Sequence, residues 1–194
     1  MSLDHRLFDR DRSCLLVVDV QQYFLDKLPV EQRQPLVARI AWLMQVANAL
    51  DVPIVATAED ITKDGPLAAE LIDHLPDPSA VHDKMIFGAA AQASILAELE
   101  RTKRSEFVVV GLETDVCVAH SAIGLLELGH RVAVIDDATG SPPPHHEEGI
   151  ARMRGAGAVI TSVKGIYYEW LRDLATMHRI RPQLPSDLPP GLTL

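Results

Sequence analysis

Short apolar runs rich in β-branched residues alternate along the chain with longer amphipathic runs, and this alternation restricts the fold more than any other feature. The strand-like runs cover residues 14–20, 53–58, 107–112 and 131–135, with shorter ones at 81–84 and 158–161. Residues 15–18 and 108–110 are apolar without interruption, which is typical of parallel strands that are covered on both faces.

The runs between these strands have the spacing of amphipathic helices. Leu36, Ile40, Leu43, Ala47 and Leu50 recur every three or four residues and predict one apolar helical stripe. Similar patterns predict helices near residues 95–99, 122–129 and 150–153. The alternating order predicts an α/β fold in which helices cover both faces of a parallel sheet.

Size and composition are those of one globular domain. The chain has 194 residues, of which 47% are hydrophobic and 23% charged, so it can bury a full core without disulfide staples. We assign residues 1–180 to this domain. Residues 181–194 form a C-terminal tail with four prolines, from which a helix is not expected.

Charge and the absence of targeting signals restrict partners and location. The net charge of −9 repels nucleic-acid backbones and anionic membranes, so neither is predicted as a partner. The first residues lack the apolar centre of a signal peptide, and no apolar stretch approaches the ~20 residues of a membrane span. Two cysteines are too few for a disulfide framework. We therefore expect a cytoplasmic protein.

Metal and cofactor motifs are lacking in the sequence. None of the eight histidines has the spacing of a zinc motif, and no glycine-rich nucleotide motif is present. The prediction is that the protein uses no metal and no cofactor, and that its ligand is a small molecule.

Reactive side chains follow several of the predicted strands. Asp19, Glu59, Lys84 and Cys117 each lie at or just after the carboxyl end of a strand. Because ligands bind outside the carboxyl ends of strands in open parallel sheets, we expect these side chains to converge on one site.

Cys117 is the candidate nucleophile. Thr114 is expected to cap the following helix, which makes Cys117 its third residue and favours the thiolate. Asp19 would take the thiol proton and Lys84 would stabilise the thiolate. The alternative for Cys117 is a buried thiol that only packs in the core, which is the role we expect of Cys14.

Two motifs and one lysine resemble those of the isochorismatase-like cysteine hydrolases. The motifs are D-x-Q-x-x-F at residues 19–24 and G-x-x-T-x-x-C-V at residues 111–118, and Lys84 matches the catalytic lysine. The resemblance spans residues 13–168. It implies a three-layer α/β/α sandwich with a six-stranded, mainly parallel sheet, and a catalytic triad of Asp19, Lys84 and Cys117.

The resemblance also implies further features of the site. A cis peptide bond is expected between Leu112 and Glu113, with the amides of Glu113 and Cys117 forming an oxyanion hole. A homo-oligomer, dimeric or larger, is expected too. The candidates for the wall of the substrate pocket are Gln21, Phe24, Glu59 and Phe87.

Departures from the resemblance narrow the expected activity. Residues 57–61 lack the histidine of metal-dependent nicotinamidases, and isochorismatases proper lack the cysteine that is present here as Cys117. The prediction is therefore a cysteine hydrolase that cleaves a C–N bond of a small amide through a Cys117 thioester. The alternatives are a catalytically silent scaffold or interaction protein and a redox-responsive thiol protein, although a resolving cysteine is not evident.

Overall fold

A six-stranded sheet forms the centre of the computed structural model, which describes residues 6–194. The strands are β1 (Ser13–Val18), β2 (Ile54–Glu59), β3 (Val81–Lys84), β4 (Glu106–Leu112), β5 (Arg131–Gly140) and β6 (Val159–Thr161). Their order is β3-β2-β1-β4-β5-β6, and all neighbouring pairs are parallel. The predicted α/β fold is confirmed. The chain order reverses between β1 and β4, the usual position of a ligand site.

Nine α-helices are described within residues 6–194. They are α1 (Gln22–Leu25), α2 (Val30–Ala49), α3 (Ile61–Asp64), α4 (Ala69–Ile72), α5 (Ala93–Arg101), α6 (Ala119–Glu127), α7 (His145–Gly155), α8 (Val163–Leu171) and α9 (Leu174–Ile180). Short 3₁₀ turns cover Ala89–Ala91 and Arg181–Gln183. In the described part of the chain, no helix has both the length and the apolar character needed to cross a membrane.

Two hydrophobic cores lie on opposite faces of the sheet. Alternate residues of β1 enter different cores: Leu15 and Val17 pack on one face, and Leu16 and Val18 on the other. The first core includes buried residues of α2, α8 and α9, and the second those of α5, α6 and α7. Because both faces are covered, β1 is apolar at every position between 14 and 18.

Some strand ends differ from the sequence prediction for local reasons. β1 ends at Val18 instead of residue 20, because Asp19 has a φ of +49° and leaves the extended conformation. β5 continues beyond residue 135 to Gly140, because a register shift allows Thr139 and Gly140 to pair with the end of β4.

The C-terminal tail folds back onto its own chain. Leu184 and Leu192 are buried in the first core, and Arg39 of α2 donates a hydrogen bond to the Pro190 carbonyl at 2.9 Å. The expectation that the whole tail lacks helix is wrong for Arg181–Gln183, which form a 3₁₀ turn.

Candidate active site

Three strand ends bring the predicted nucleophile, base and cation into contact. Asp19 follows β1, Lys84 ends β3, and Cys117 lies in a π-helical turn, Thr114–Val118, that follows β4. Lys84 Nζ is 2.9 Å from Asp19 Oδ2 and 3.6 Å from Cys117 Sγ. The arrangement therefore has a thiol, a carboxylate and an ammonium in one contact group.

Asp19 is fixed by its neighbour on β2. Its side chain is fully buried, and its Oδ1 accepts a hydrogen bond from Thr57 Oγ1 at 2.7 Å. The backbone N–H of Asp19 donates to the Thr57 carbonyl at 3.1 Å. The φ of +49° is unfavourable for a residue with a Cβ, and such strain is common at functional positions.

Lys84 is fully buried and surrounded by acceptors. Besides Asp19 and the thiol, its Nζ lies 3.1 Å from the Ile86 carbonyl and 3.3 Å from Glu59 Oε2. An ammonium has three protons, so with four neighbouring acceptors each of its protons has a partner.

Glu59 contacts the thiol directly. Cys117 Sγ donates a hydrogen bond to Glu59 Oε2 at 3.1 Å. The sequence placed Glu59 at the same edge of the sheet and identified it as a candidate for the pocket wall, but not as a partner of the thiol. In the structure, its carboxylate joins the triad as a fourth reactive group.

Gln21 holds Glu59 in place. Its Nε2 donates to the carbonyls of Glu59 and Gly65 at 2.8 and 2.7 Å, and its Oε1 accepts from the Glu59 N–H at 2.7 Å. The side chain is fully buried. Gln21 therefore acts on the pocket by positioning the end of β2.

The connection from β4 to the thiol depends on an unusual backbone. Gly111 has a φ of +120°, and a Cβ at this position would overlap the Val18 carbonyl oxygen. The peptide bond between Leu112 and Glu113 is cis. The chain then enters the π-helical turn that carries Cys117.

The expected capping role of Thr114 is wrong. Thr114 is the first residue of the turn and is fully buried. Its hydroxyl lies 2.9 Å from His146 Nδ1, and His146 Nε2 lies 3.2 Å from Asp136 Oδ1. Cys117 is consequently the fourth residue of the turn rather than the third.

The predicted oxyanion-hole residues lie on this connection. Leu112 is fully buried at the end of β4. The carboxylate of Glu113 pairs with Lys27 Nζ at 3.3 Å. The role of the Glu113 and Cys117 amides in binding an oxyanion stays a prediction.

The two phenylalanine candidates lie in different environments. Phe24 in α1 is buried. Phe87 follows β3 and is 53% exposed, with its ring centroid 6.0 Å from that of His120. Met85 and Ile86 are exposed as well, so an apolar segment follows directly after Lys84.

The thiol of Cys117 is protonated at rest. Burial raises its pKa well above the ordinary value, and the carboxylates of Asp19 and Glu59 raise it further against the opposing effect of Lys84. The sequence argument that the helix terminus and Lys84 favour the thiolate left out desolvation and the second carboxylate, which act in the opposite direction.

The pKa values of Asp19 and Lys84 are shifted by burial and by their contacts within the same group. Burial raises the pKa of Asp19 despite the favourable contacts with Lys84 and Thr57. Burial lowers the pKa of Lys84, but Asp19, Cys117 and Glu59 together outweigh this and raise it. Lys84 thus stays an ammonium beside a carboxylate that binds protons more readily than usual.

Asp19, Glu59 and Cys117 have ligand atoms within 4.8 Å of one another. This spacing would suit a metal ion. However, the Lys84 ammonium is within 3.6 Å of all three groups and supplies their positive partner itself.

A cavity of about 570 Å³ lies beside this site, between α2 and the end of β5. Its lining includes Leu28, Arg39, Ser141 and His146 but none of Asp19, Lys84 and Cys117. Cys117 itself is 3% exposed, so little of the thiol is in contact with solvent.

Sequence reasoning did not find Thr57. Its signal was a polar residue inside the apolar strand of residues 54–58. Its contact with Asp19 follows from the register of β1 and β2, in which Val18 is opposite Thr57.

Comparison with known families gives one match over most of the chain. Residues 13–165 match the family model described as isochorismatase domain. Isochorismatase family protein 2A of Dictyostelium discoideum is 29% identical over 167 residues, which cover 82% of each chain.

Two solved structures share the fold. YcaC from Pseudomonas aeruginosa, solved with hexane-2,5-diol and covalent acrylamide, has a TM-score of 0.82 at 24% identity, covering 94% of this chain and 92% of its own. The octameric hydrolase YcaC of Escherichia coli has a TM-score of 0.80 at 24% identity, covering 92% and 90%. These two likenesses establish the architecture.

Proposed function

The chain belongs to the isochorismatase family, and on that premise we propose that it is a cysteine hydrolase that cleaves the C–N bond of a small amide through a thioester on Cys117. The observation that carries the proposal is the buried contact of Lys84 Nζ with Asp19 at 2.9 Å and with the Cys117 sulfur at 3.6 Å. Nucleophile, base and cation in mutual contact are what covalent catalysis requires.

The first half-reaction forms the thioester. The resting thiol is protonated and contacts Glu59 Oε2 at 3.1 Å, so its S–H first rotates toward Asp19, which takes the proton as the sulfur attacks the carbonyl carbon. Lys84 stabilises the negative charge on sulfur, and the amides of Glu113 and Cys117 receive the oxyanion. Asp19 then gives the proton to the leaving nitrogen, the C–N bond breaks, and the amine departs.

The second half-reaction removes the acyl group. Asp19 takes a proton from a water molecule, whose oxygen attacks the thioester carbonyl. When the tetrahedral intermediate collapses, the C–S bond breaks, the acid is released and the proton returns to sulfur. The raised pKa of Asp19 suits both proton transfers, since a stronger base is more effective near neutral pH.

Assembly and location belong to the proposal as well. The octameric YcaC of E. coli supports a homo-oligomer, which sedimentation would test by giving a mass above one chain. A cytoplasmic location stays a prediction from the sequence.

The two cysteines provide a matched test of the chemistry. We expect Cys117→Ala to reduce amine release from a panel of small primary amides by about 10³-fold or more. Cys14→Ala, which removes the other buried thiol, retains turnover. Circular dichroism confirms that both variants fold.

Turnover retained in Cys117→Ala would contradict the thioester mechanism. If the parent protein hydrolyses no amide and Cys117 does not react with acrylamide, the scaffold alternative is supported instead.

A further inference from the structure

The charges around Cys117 do not balance. Two carboxylates, Asp19 and Glu59, share one ammonium, and Lys84 Nζ lies 2.9 Å from the first and 3.3 Å from the second. The protonated thiol adds no charge. Acidic side chains therefore outnumber cations two to one in this group.

Of the three charged side chains, Glu59 is the one that solvent reaches. The side chains of Asp19 and Lys84 are fully buried, whereas that of Glu59 is 20% exposed. Glu59 also holds the thiol through its Oε2 at 3.1 Å. A molecule that approaches the sulfur consequently meets the Glu59 carboxylate before it meets the other ions.

Neither lysine near the cis turn is available to an anionic substrate. The Lys84 ammonium already has four acceptors, at 2.9 to 3.6 Å. Lys27 Nζ pairs with Glu113 at 3.3 Å and lies 4.8 and 4.5 Å from the ring centroids of Tyr23 and Phe24. A substrate carboxylate would add charge beside Glu59 without gaining either cation as a free partner.

We infer that Glu59 makes this site selective for small amides that carry a positive charge beside the scissile carbonyl and disfavours amides that carry a carboxylate. A carboxylate has about four acceptor positions, so Glu59 can bind a ligand cation while it contacts Lys84. The inference rests on the proposed hydrolase function and specifies its substrate class.

Thiol reagents of different charge test the inference without a known substrate. Three methanethiosulfonate reagents, with a trimethylammonium, a neutral methyl or a sulfonate group, each convert Cys117 to a mixed disulfide and release methanesulfinate. Rates are divided by those of a free thiol at the same pH. The Cys117→Ala variant measures any contribution from Cys14. The ratio of the cationic to the anionic rate cancels the thiol pKa, because both reagents attack the same thiolate.

We expect this ratio to be about 10–10² in the parent protein, within the range by which charged clefts concentrate counter-ions. In Glu59→Gln it falls toward 1. Glu100→Gln, which removes the same charge from the exposed end of α5 just before β4 begins, leaves the ratio unchanged.

A parent ratio at or below 1, or one that Glu59→Gln does not change, overturns the charge selectivity while leaving the cysteine hydrolase intact. If none of the three reagents modifies Cys117, this result contradicts the proposed hydrolase function, and the substrate class with it.

Discussion

Each end of the sheet holds a buried ion cluster, and the two clusters differ in which kind of group is in excess. At the amino end, Glu106 begins β4 and is 1% exposed. Its carboxylate accepts hydrogen bonds from Arg131 Nη1 at 2.6 Å and from the Asp9 N–H at 2.7 Å, and it pairs with Arg12 Nη2 at 3.0 Å. One carboxylate thus has several donors.

At the carboxyl end the ratio is reversed. Within residues 6–194, Lys84 is the one ammonium in contact with Asp19 and Glu59, and the protonated Cys117 thiol lies among them. Acceptors exceed the available protons, so a proton of this group can be shared or moved.

Burial of charge alone therefore does not identify a reactive site. A carboxylate with surplus donors is held in one geometry, and its contribution is to stability. A cation with surplus acceptors keeps a proton between competing bases, which is what acid–base and nucleophilic catalysis need.

The cysteines differ in the same way. Burial raises the pKa of Cys14 to about 12, and its thiol lies 3.8 Å from the Leu15 carbonyl. Burial also raises the pKa of the Cys117 thiol, but this thiol is in contact with an ammonium and a carboxylate. Arg104 and Glu98 also act on the pKa of the Cys14 thiol, the first lowering it and the second raising it, but Cys117 is the thiol whose ammonium and carboxylate neighbours lie within 3.6 and 3.1 Å.

Of the substitutions in the two clusters, we expect the largest effect from Lys84→Met, which disrupts the carboxyl-end cluster. The variant keeps a long, unbranched side chain but removes the cation, so turnover of an amide substrate falls by about 10³-fold or more. The midpoint of Cys117 alkylation against pH moves upward, because Lys84 lowers the pKa of that thiol. Iodoacetamide labelling across pH measures the midpoint.

Lys27→Met is the matched control. Lys27 is 36% exposed and pairs with Glu113, so its loss should change turnover only a few-fold and leave the alkylation midpoint in place. An unchanged or lower midpoint in Lys84→Met would mean that the ammonium does not act on the sulfur.

Glu106→Gln should break the amino-end cluster and affect stability instead. The two arginines lose a buried anion, and because both are partly exposed the loss is at the lower end of the usual cost, about 2–3 kcal/mol in the free energy of unfolding. Urea denaturation measures it, while the turnover of the folded variant stays at the parent level.

Glu98→Gln provides the comparison for an exposed pair. Glu98 contacts Arg101 three residues along the same helix, and loss of an exposed pair costs less than about 1 kcal/mol. Equal losses in the two variants would show that burial of Glu106 adds nothing.

The order of elements and the convergence of the triad could be predicted from the sequence. Parallel strands end at one edge whatever their side-chain details, so residues such as Asp19 and Cys117 need only be placed at strand ends. A two-residue error in the end of β1 does not change that conclusion.

Contacts that depend on register or on distant pairing could not be predicted. Thr57 reaches Asp19 because of the register between β1 and β2, and Thr114 meets His146 across 32 positions. The thiol pKa required the depth of burial and the position of the Glu59 carboxylate, neither of which is contained in residue order.

Gly149→Ala is the substitution from which we expect the smallest effect. It changes the geometry around the carboxyl-end cluster without changing any charge. A Cβ on Gly149 of α7 would lie 2.8 Å from the Asp115 N and Cα atoms, so the helix would push against the turn that carries Cys117. We expect a stability loss of about 1–2 kcal/mol and a lower rate of Cys117 alkylation. Gly155→Ala, at the open end of the same helix with no neighbour within 4 Å of its Cβ, should instead be neutral or stabilise by less than about 1 kcal/mol. If both substitutions leave the alkylation rate unchanged, the packing of α7 does not position the thiol.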